Sequence, residues 1–383
     1  MKILVPRFID SFHIRAQELN LKKLLPFFRR EGHTWETFVH GHPDPDVAVN
    51  PHVRIRRFMS PLPPRYASSD APPVIAPVWL ANRLFKWELP VRYLSEADGV
   101  FYPDARKPDI MGLRLRSLLG RKAPLIATME GLVGNRDQER EFADVLGHEV
   151  ILDRPNANAE LIYDQAVHVI AISPVLKRFV ETFMHKPCSV LPLGVDTVVF
   201  NAVNRREPRR PRIIGAGTIN SRKRPEVFVR LAARFPEADF IWFGNGPLRR
   251  SIEEMIRREG IRNVRFPGTV SPGNLAQELR AASLFVLTSK SEGWGKVIQE
   301  AQACGIPAIA FGHYETPLIT PGENGLIVWN EKELHEAVSH LLNDPDTRMF
   351  MGKKAAHMAK KYAWEKIAPE WEKKLLDIFM SCG

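Results

Sequence analysis

The chain has 383 residues, of which 44% are hydrophobic and 26% are charged, and its net charge is +10. This composition is typical of a folded globular protein and excludes collagen-like, mucin-like and acidic disordered chains, while the length favours two domains. No apolar run is long enough to cross a bilayer, and proline and charge follow the first residues too early for a secretory leader, so we expect a cytoplasmic protein.

The positive charge lies mainly in the second half. Residues 1–170 carry 23 Lys/Arg and 21 Asp/Glu, whereas residues 171–383 carry 31 and 23. Such an excess suits a phosphate-bearing ligand or an anionic surface, and it also suits plain solvation. Because the cations occur as scattered pairs without a stacking module, nucleic acid is not an expected partner. Neither the three cysteines nor the histidines at 40, 42 and 52 form a metal-ligand pattern, so we expect no catalytic metal.

Aliphatic runs alternate with amphipathic segments, a pattern that favours parallel sheets covered by helices. In the first half, one predicted helix is capped by Gly32, and another begins at Pro174 with Ser173 as its cap. The proline-dense residues 43–77 predict an irregular excursion. Residues 79–94 mix tryptophan and phenylalanine with cations, which fits either a core helix or a membrane-surface helix. The strands predicted in this half are residues 1–5, 124–128 and 167–173.

The polar, proline-bearing residues 201–211 have the composition of a linker, and the α/β pattern restarts after them. We therefore predict a boundary between a first domain, residues 1–200, and a second domain, residues 201–360. The strands predicted in the second domain are residues 212–218, 239–244, 263–268, 284–289, 307–311 and 325–329, with helices between them.

One segment joins a predicted strand to a helix through a glycine-bearing turn. Gly293 and Gly295 flank Trp294, and seven residues separate Glu292 from Glu300. Glycines at such a turn let backbone amides approach a ligand, and the start of a helix attracts phosphate. Ligands of open α/β sheets bind at the carboxyl ends of the strands. The segment therefore predicts a phosphate-bearing ligand, with a purely structural turn as the alternative.

This segment resembles the E-x7-E motif of retaining GT-B glycosyltransferases of the family 4 type (glycosyl transferases group 1), with AQACGIPAIA in the place of the family's EAMACGxPVVA. The resemblance runs from about residue 167 to the end of the chain. It implies an α/β fold of two Rossmann-like domains that face each other across a cleft, with residues 361–383 packing back on the first domain. Four other segments resemble the family in the same order: VIAISPVLKRF, VLPLGVDTVVF, FGNGPLRRSIE and TPLITPGENGLIV.

The resemblance also implies roles for individual residues. Glu300 matches the acid that holds the ribose hydroxyls, a task that suits a charged acceptor, and Glu292 matches the acid beside the reacting carbon of the donor sugar. Arg222 and Lys223 match the basic pair that grips the diphosphate, with Arg224 as an alternative register. Fixed cations stabilise the charge of a departing diphosphate. Further implied donor contacts are Gly293, Trp294 and Gly295 in the turn, Val270 for the base, and Thr218.

The first half departs from the family pattern. The loop after the first strand lacks glycine, so Ser11 and His13 are candidates to replace backbone contacts with the donor. Glu130 stands where relatives often have a histidine, and a carboxylate there can orient a hydroxyl of the sugar or the acceptor. We predict that Glu130 lies in the site, with a structural glutamate as the alternative. His313 and Glu315 occupy a turn in which the family often has glycines.

Together these features predict a metal-independent, retaining glycosyltransferase that moves a sugar from a nucleotide-diphosphate sugar, with UDP and GDP as candidate carriers. The expected acceptor bears a hydroxyl and belongs to a glycan, a lipid-linked molecule or a small molecule. No cofactor is expected beyond the donor, and peripheral contact with the inner membrane face is an alternative to a fully cytoplasmic enzyme. The alternative functions are a nucleotide-sugar-binding protein without activity and a GT-B sugar-nucleotide epimerase.

Overall fold

The computed structural model describes residues 1–8, 16–39, 45–57, 96–102, 118–120, 123–150, 152 and 162–382. The segment at 79–94, Ser11 and His13 lie outside these residues, as do His40 and His42. Among the helices of the described residues, none is long and apolar enough to cross a membrane.

The first sheet contains seven described strands, all parallel, in the order β3-β2-β1-β4-β5-β6-β7. Its central strands are apolar runs because both faces of a parallel sheet are covered, and every residue of β5 is buried. The three strands predicted in the first half are confirmed. The strands are β1 (Lys2–Phe8), β2 (Thr34–Val39), β3 (Val53–Arg57), β4 (Gly99–Tyr102), β5 (Leu125–Met129), β6 (His168–Ala171) and β7 (Cys188–Val190).

The helices of the first domain confirm one prediction and correct another. Helix α4 begins at Pro174, and Ser173 Oγ accepts a hydrogen bond from the Leu176 amide at 3.5 Å, as predicted. The prediction that this first helix extends to a cap at Gly32 was wrong. Helix α1 ends at Leu24, and Gly32 lies in the turn before β2. Pro26 has no amide hydrogen and shifts the chain into a short 3₁₀ turn. The helices are α1 (Ala16–Leu24), α2 (Pro45–Ala48), α3 (Arg136–Leu146) and α4 (Pro174–Phe183).

The prediction of an irregular excursion at residues 43–77 was also wrong where the structure describes it. Helix α2 and strand β3 both lie within that range. In β3, Val53 and Ile55 alternate with arginines, which is the two-residue period of a strand. The density of proline on either side concealed this short pattern.

The second sheet contains six described strands, all parallel, in the order β10-β9-β8-β11-β12-β13. All six strands predicted after residue 211 are confirmed. The strands are β8 (Arg212–Ala216), β9 (Asp239–Phe243), β10 (Val264–Gly268), β11 (Leu284–Leu287), β12 (Ala308–Phe311) and β13 (Gly325–Val328). The helices of this domain are α5 (Pro225–Ala233), α6 (Arg249–Glu259), α7 (Pro272–Arg280), α8 (Lys296–Ala303), α9 (Glu331–Asn343) and α10 (Pro345–Ala359).

The last helix, α11 (Trp364–Ser381), packs against α1 of the first domain. Trp371 Nε1 donates to the Pro192 carbonyl oxygen at 2.8 Å. The buried Glu372 carboxylate accepts the backbone amides of Arg29 and Arg30 at 3.0 and 3.1 Å and the Trp35 indole N–H at 3.3 Å. A buried carboxylate is tolerated when several donors satisfy it, so Glu372 ties the end of the chain to the first domain.

Candidate functional site

The loop between β11 and α8 forms one side of the candidate site. Gly295 has a left-handed backbone (φ 84°) that turns the chain into α8, a conformation that favours glycine. The Thr288 hydroxyl contacts the Lys223 carbonyl oxygen at 2.7 Å, and the Lys290 amide donates to the Arg222 carbonyl oxygen at 2.9 Å. These bonds hold the loop that follows β8 against the loop that follows β11.

Glu292 is the centre of a charged group. Its carboxylate accepts from Lys223 Nζ at 2.5 Å and from Arg222 Nη1 at 3.2 Å, and Arg222 also donates to the Ser291 carbonyl oxygen at 2.8 Å. Burial favours a raised pKa for Glu292, but the adjacent Lys223 and Arg222 outweigh it and lower that pKa. Burial lowers the pKa of Lys223 against the attraction of Glu292. The structure therefore brings the predicted basic pair and the first motif acid together.

A cavity of about 190 Å³ lies between the two domains beside this group. Both domains contribute walls, and the second-domain wall includes most of the motif turn. Predicted site residues on these walls are Arg222, Glu292, Gly293, Trp294, Gly295 and Glu130. The other described residues that line the cavity are Asn20, Gly131, Leu132, Ile172, Leu193, Ser291 and Lys296.

The two walls touch at Gly293. A Cβ atom on this glycine would lie 2.1 Å from the carbonyl oxygen of Glu130, which is far closer than non-bonded atoms approach. The absence of a side chain therefore permits the motif turn to contact the loop after β5 directly. Both residues line the cavity, so this contact is part of its wall.

A hydrogen-bonded bridge connects the walls at a second place. Lys296, the first residue of α8, donates from Nζ to Asn20 Oδ1 at 2.8 Å, and Asn20 Nδ2 donates to the Glu130 carboxylate at 3.3 Å. Glu130 therefore lies in the cavity wall. Asn20 and Lys296 were not predicted. Asn20 belongs to a helix without a motif, whereas Lys296 offered a signal, because a cation at the start of a helix opposes the helix dipole.

Glu300 lies one helical turn beyond Lys296 and is half-buried. Burial raises the pKa of its carboxyl to about 7, although the nearby Lys296 and Lys223 ammonium groups act against this shift. A carboxyl group with this pKa is partly protonated at neutral pH. The two motif acids thus differ, since charge pairing lowers the pKa of Glu292 while burial raises that of Glu300.

Trp294 contributes to the site in a different way from its neighbours. Its indole is buried, donates from Nε1 to Gln299 Oε1 at 3.3 Å, and packs edge to face against Tyr362 at a centroid distance of 5.4 Å. Gln299 in turn donates to the Leu193 carbonyl oxygen at 3.0 Å. The ring therefore anchors the motif turn to the segment that joins the two domains.

Some predicted site residues do not line the cavity within the described part of the chain. Lys223 is buried behind Glu292. Thr218 is exposed after β8 and Val270 is half-buried after β10, and both lie at the carboxyl edge of the second sheet. Glu300 lies deeper along α8.

Arg224 belongs to a separate cluster rather than to the Glu292 group. Its guanidinium lies 4.7 Å from the centroid of the Phe311 ring and 3.6 Å from Glu331. Arg224 therefore does not take part in the described ion pairs of Glu292. Glu315 forms an ion pair with Arg178 of the first domain.

His313 also lies at the contact between the domains. Its ring centroid is 5.9 Å from that of His148 and 5.8 Å from that of Trp329.

The described residues contain no group of three or more His, Cys, Asp or Glu side chains arranged to hold a metal ion.

Two Rossmann-like parallel sheets with a cavity between them define the GT-B class of fold. Residues 200–358 match the family described as Glycosyl transferases group 1. The chain is 30% identical over 285 residues to a D-inositol 3-phosphate glycosyltransferase of Paenarthrobacter aurescens, and the alignment covers 68% of each protein. The protein therefore belongs to the glycosyl transferases group 1 family, as the motifs indicated.

Other similarities cover different shares of the chain. The sulfoquinovosyl transferase SQD2 of Arabidopsis thaliana is 30% identical over 188 residues, which is 45% of this chain but only 36% of SQD2. The structure of sucrose-phosphate synthase from Thermosynechococcus elongatus aligns with a TM-score of 0.73 at 19% identity over 99% of both chains. Anabaena HepE in complex with UDP and glucose aligns with a TM-score of 0.68 at 16% identity over 98% of this chain and 100% of HepE. At these identities the structural similarities establish the fold.

Proposed function

We propose that the protein transfers a glycosyl residue from a nucleoside-diphosphate sugar to a hydroxyl-bearing acceptor, with retention of the anomeric configuration. The observation that carries this proposal is the Arg222–Glu292–Lys223 group beside the interdomain cavity. Two cations fixed in a largely buried place are suited to a leaving group that gains negative charge in the transition state. Their position at the carboxyl edge of a parallel sheet is the usual place for ligands in such folds.

Glu292 neutralises the two cations that we assign to the diphosphate. It is the carboxylate partner of both Arg222 and Lys223, and burial would make either cation costly if it were left unpaired. A bound diphosphate carries more negative charge than one carboxylate and takes over these hydrogen bonds. Glu292 is then free to accept hydrogen bonds from the sugar next to the reacting carbon.

The transfer step needs the cations more than it needs a base. The bond between sugar C1 and the phosphate oxygen breaks, and its electron pair leaves with the nucleoside diphosphate, where Arg222 and Lys223 stabilise the charge. The acceptor oxygen forms its bond to C1 on the same face, and its proton passes to the departing phosphate oxygen. Because cationic side chains stabilise the negative charge of the leaving group, we propose that the reaction is independent of metal ions. The Gly293–Glu130 contact limits the access of water to the donor.

The remaining predicted residues take supporting roles in this proposal. Glu300 accepts hydrogen bonds from the ribose hydroxyls, and Gly293 and Gly295 present backbone amides to the donor. Trp294 supports the turn through its buried ring. Glu130 orients a hydroxyl from the first-domain wall. The backbone at Val270 contacts the base, and Thr218 lies beside the diphosphate.

A panel of UDP-, GDP- and ADP-sugars tests the proposal. We expect one class of donor to release nucleoside diphosphate slowly in the absence of acceptor, with equal rates in the presence and absence of EDTA. NMR of the first-formed sugar product should show the anomeric configuration of the donor. Release of an epimerised nucleotide sugar would show that the protein is an epimerase. Failure to bind or turn over any donor would contradict the proposed glycosyltransferase activity.

A further inference from the structure

Lys296 occupies a position that helix stability does not favour. It is the first residue of α8, where the helix dipole repels a cation, and Glu300 follows one turn later. This order, with the cation before the anion, is the less stable arrangement of a charged pair on a helix. Burial also lowers the pKa of the Lys296 ammonium, against the attraction of Glu300 and Glu130. Local stability therefore does not explain the residue.

The ammonium of Lys296 is held in place but keeps capacity for a ligand. Of its three N–H donors, one is directed to Asn20 Oδ1 at 2.8 Å. Asn20 is itself buried and bonded to Glu130, so its oxygen is fixed. An amide oxygen orients a cation without neutralising it. This arrangement suits an anion that binds and leaves.

The surroundings of Lys296 indicate which anion it meets. Lys296 and Arg222 line the same cavity. The Glu300 carboxyl interacts electrostatically with Lys296 and also with Lys223, so both ammonium groups lie near the acid that we assign to the ribose. Lys296 therefore shares one cavity wall with Arg222, the residue that we assign to the diphosphate.

We propose that Lys296 is a third cation that binds the diphosphate, from the side of the cavity that faces the first domain. This assignment rests on the proposed function of the cavity. Because the same ammonium contacts Asn20 of α1, the leaving group is bound by residues that also connect the two domains. Arg222 and Lys223 bind the diphosphate from the loop after β8, and Lys296 binds it from the start of α8.

Calorimetric titration with uridine and UDP, and with guanosine and GDP, tests this assignment. We expect Lys296→Met to weaken binding of the diphosphate by about ten- to a hundredfold, as for loss of a charged hydrogen bond, while affinity for the nucleoside stays at the wild-type value. Lys296→Arg should recover much of the loss. Lys353→Met, which removes an exposed lysine on α10, is the matched control.

Asn20→Asp gives a second test that keeps the lysine. The new carboxylate competes with phosphate for the ammonium, so diphosphate binding should weaken with nucleoside binding unchanged. Asn20→Leu loses the same hydrogen bond to Glu130 without adding a charge, and it should weaken diphosphate binding less. Normal diphosphate affinity in both Lys296→Met and Asn20→Asp would overturn the assignment of Lys296. So would a Lys296→Met protein that loses affinity only for the intact donor, because the ammonium would then face the sugar. If the wild-type protein bound no nucleoside diphosphate, the proposed function would fail together with this assignment.

Discussion

The two walls of the cavity are built in different ways. The second-domain wall comes from neighbouring loops at the edge of one sheet and carries fixed charges on Arg222, Glu292 and Lys296. The first-domain wall brings together Asn20 and Glu130, which lie 110 positions apart in the chain. In the proposed function, the second-domain wall supplies the charges that stabilise the leaving group, while the first-domain wall positions and encloses it. Substitutions on each wall should therefore have effects of different kinds.

Arg222→Ala should produce the largest effect, because in the proposed mechanism it removes a cation that stabilises the departing diphosphate. We expect turnover to fall by about 100- to 1,000-fold with a smaller change in donor affinity. Steady-state kinetics with the preferred donor measures both quantities. Arg250→Ala is the control, since that side chain is 92% exposed. A loss confined to affinity would show that Arg222 binds the donor without acting in the transition state.

Gly293→Ala should break the contact between the walls. The added Cβ atom would lie 2.1 Å from a backbone oxygen that cannot rotate away, so the domains must separate slightly. A misplacement of reacting groups by about 1 Å costs about 100-fold in rate, and we expect a loss of this order. Gly273→Ala, whose Cβ would meet nothing within 4 Å, is the control. Unchanged transfer with a normal melting temperature would show that the contact is dispensable.

Glu300→Gln should weaken binding of the nucleoside diphosphate by about tenfold, because a neutral amide is a poorer acceptor for the two ribose hydroxyls. The pKa of about 7 adds a pH dependence. Binding requires the ionised carboxylate, so wild-type affinity should fall as the pH is lowered through 7 and level off above it. Titration of the phosphate is common to both proteins, and the ratio of their affinities therefore reports Glu300. A ratio that does not change between pH 6 and 8 would contradict the ribose assignment.

Glu130→Gln tests the first-domain wall and should have the smallest effect. The amide keeps an acceptor for Asn20 but loses the charge, so we expect kcat/KM for transfer to fall about fivefold, equivalent to ~1 kcal/mol. Diphosphate affinity should remain at the wild-type value. Glu141→Gln, an exposed change on α3, is the control. A large loss of nucleoside-diphosphate binding would show that Glu130 helps to bind the leaving group.

Much of the second domain could be predicted because its signals are local. Strands such as β11 are continuous apolar runs, and the motif turn carries its own glycines. The first domain was harder, since Pro26 shortened α1 and proline around β3 hid a strand of five residues. Asn20 could not be identified from sequence, because its role depends on a contact with a residue 276 positions away.

Glu372 has a consequence for the order in which the protein folds during synthesis. Its carboxylate satisfies amides at Arg29 and Arg30, which are more than 340 positions earlier in the chain. Domains usually fold as they emerge, beginning with the amino-terminal one. Because α11 completes the hydrogen bonding of this part of the first domain, we expect the first domain to reach its final packing only after α11 has been synthesised. A chain truncated before α11 would leave the Arg29 and Arg30 amides and the Trp35 indole N–H without the Glu372 carboxylate.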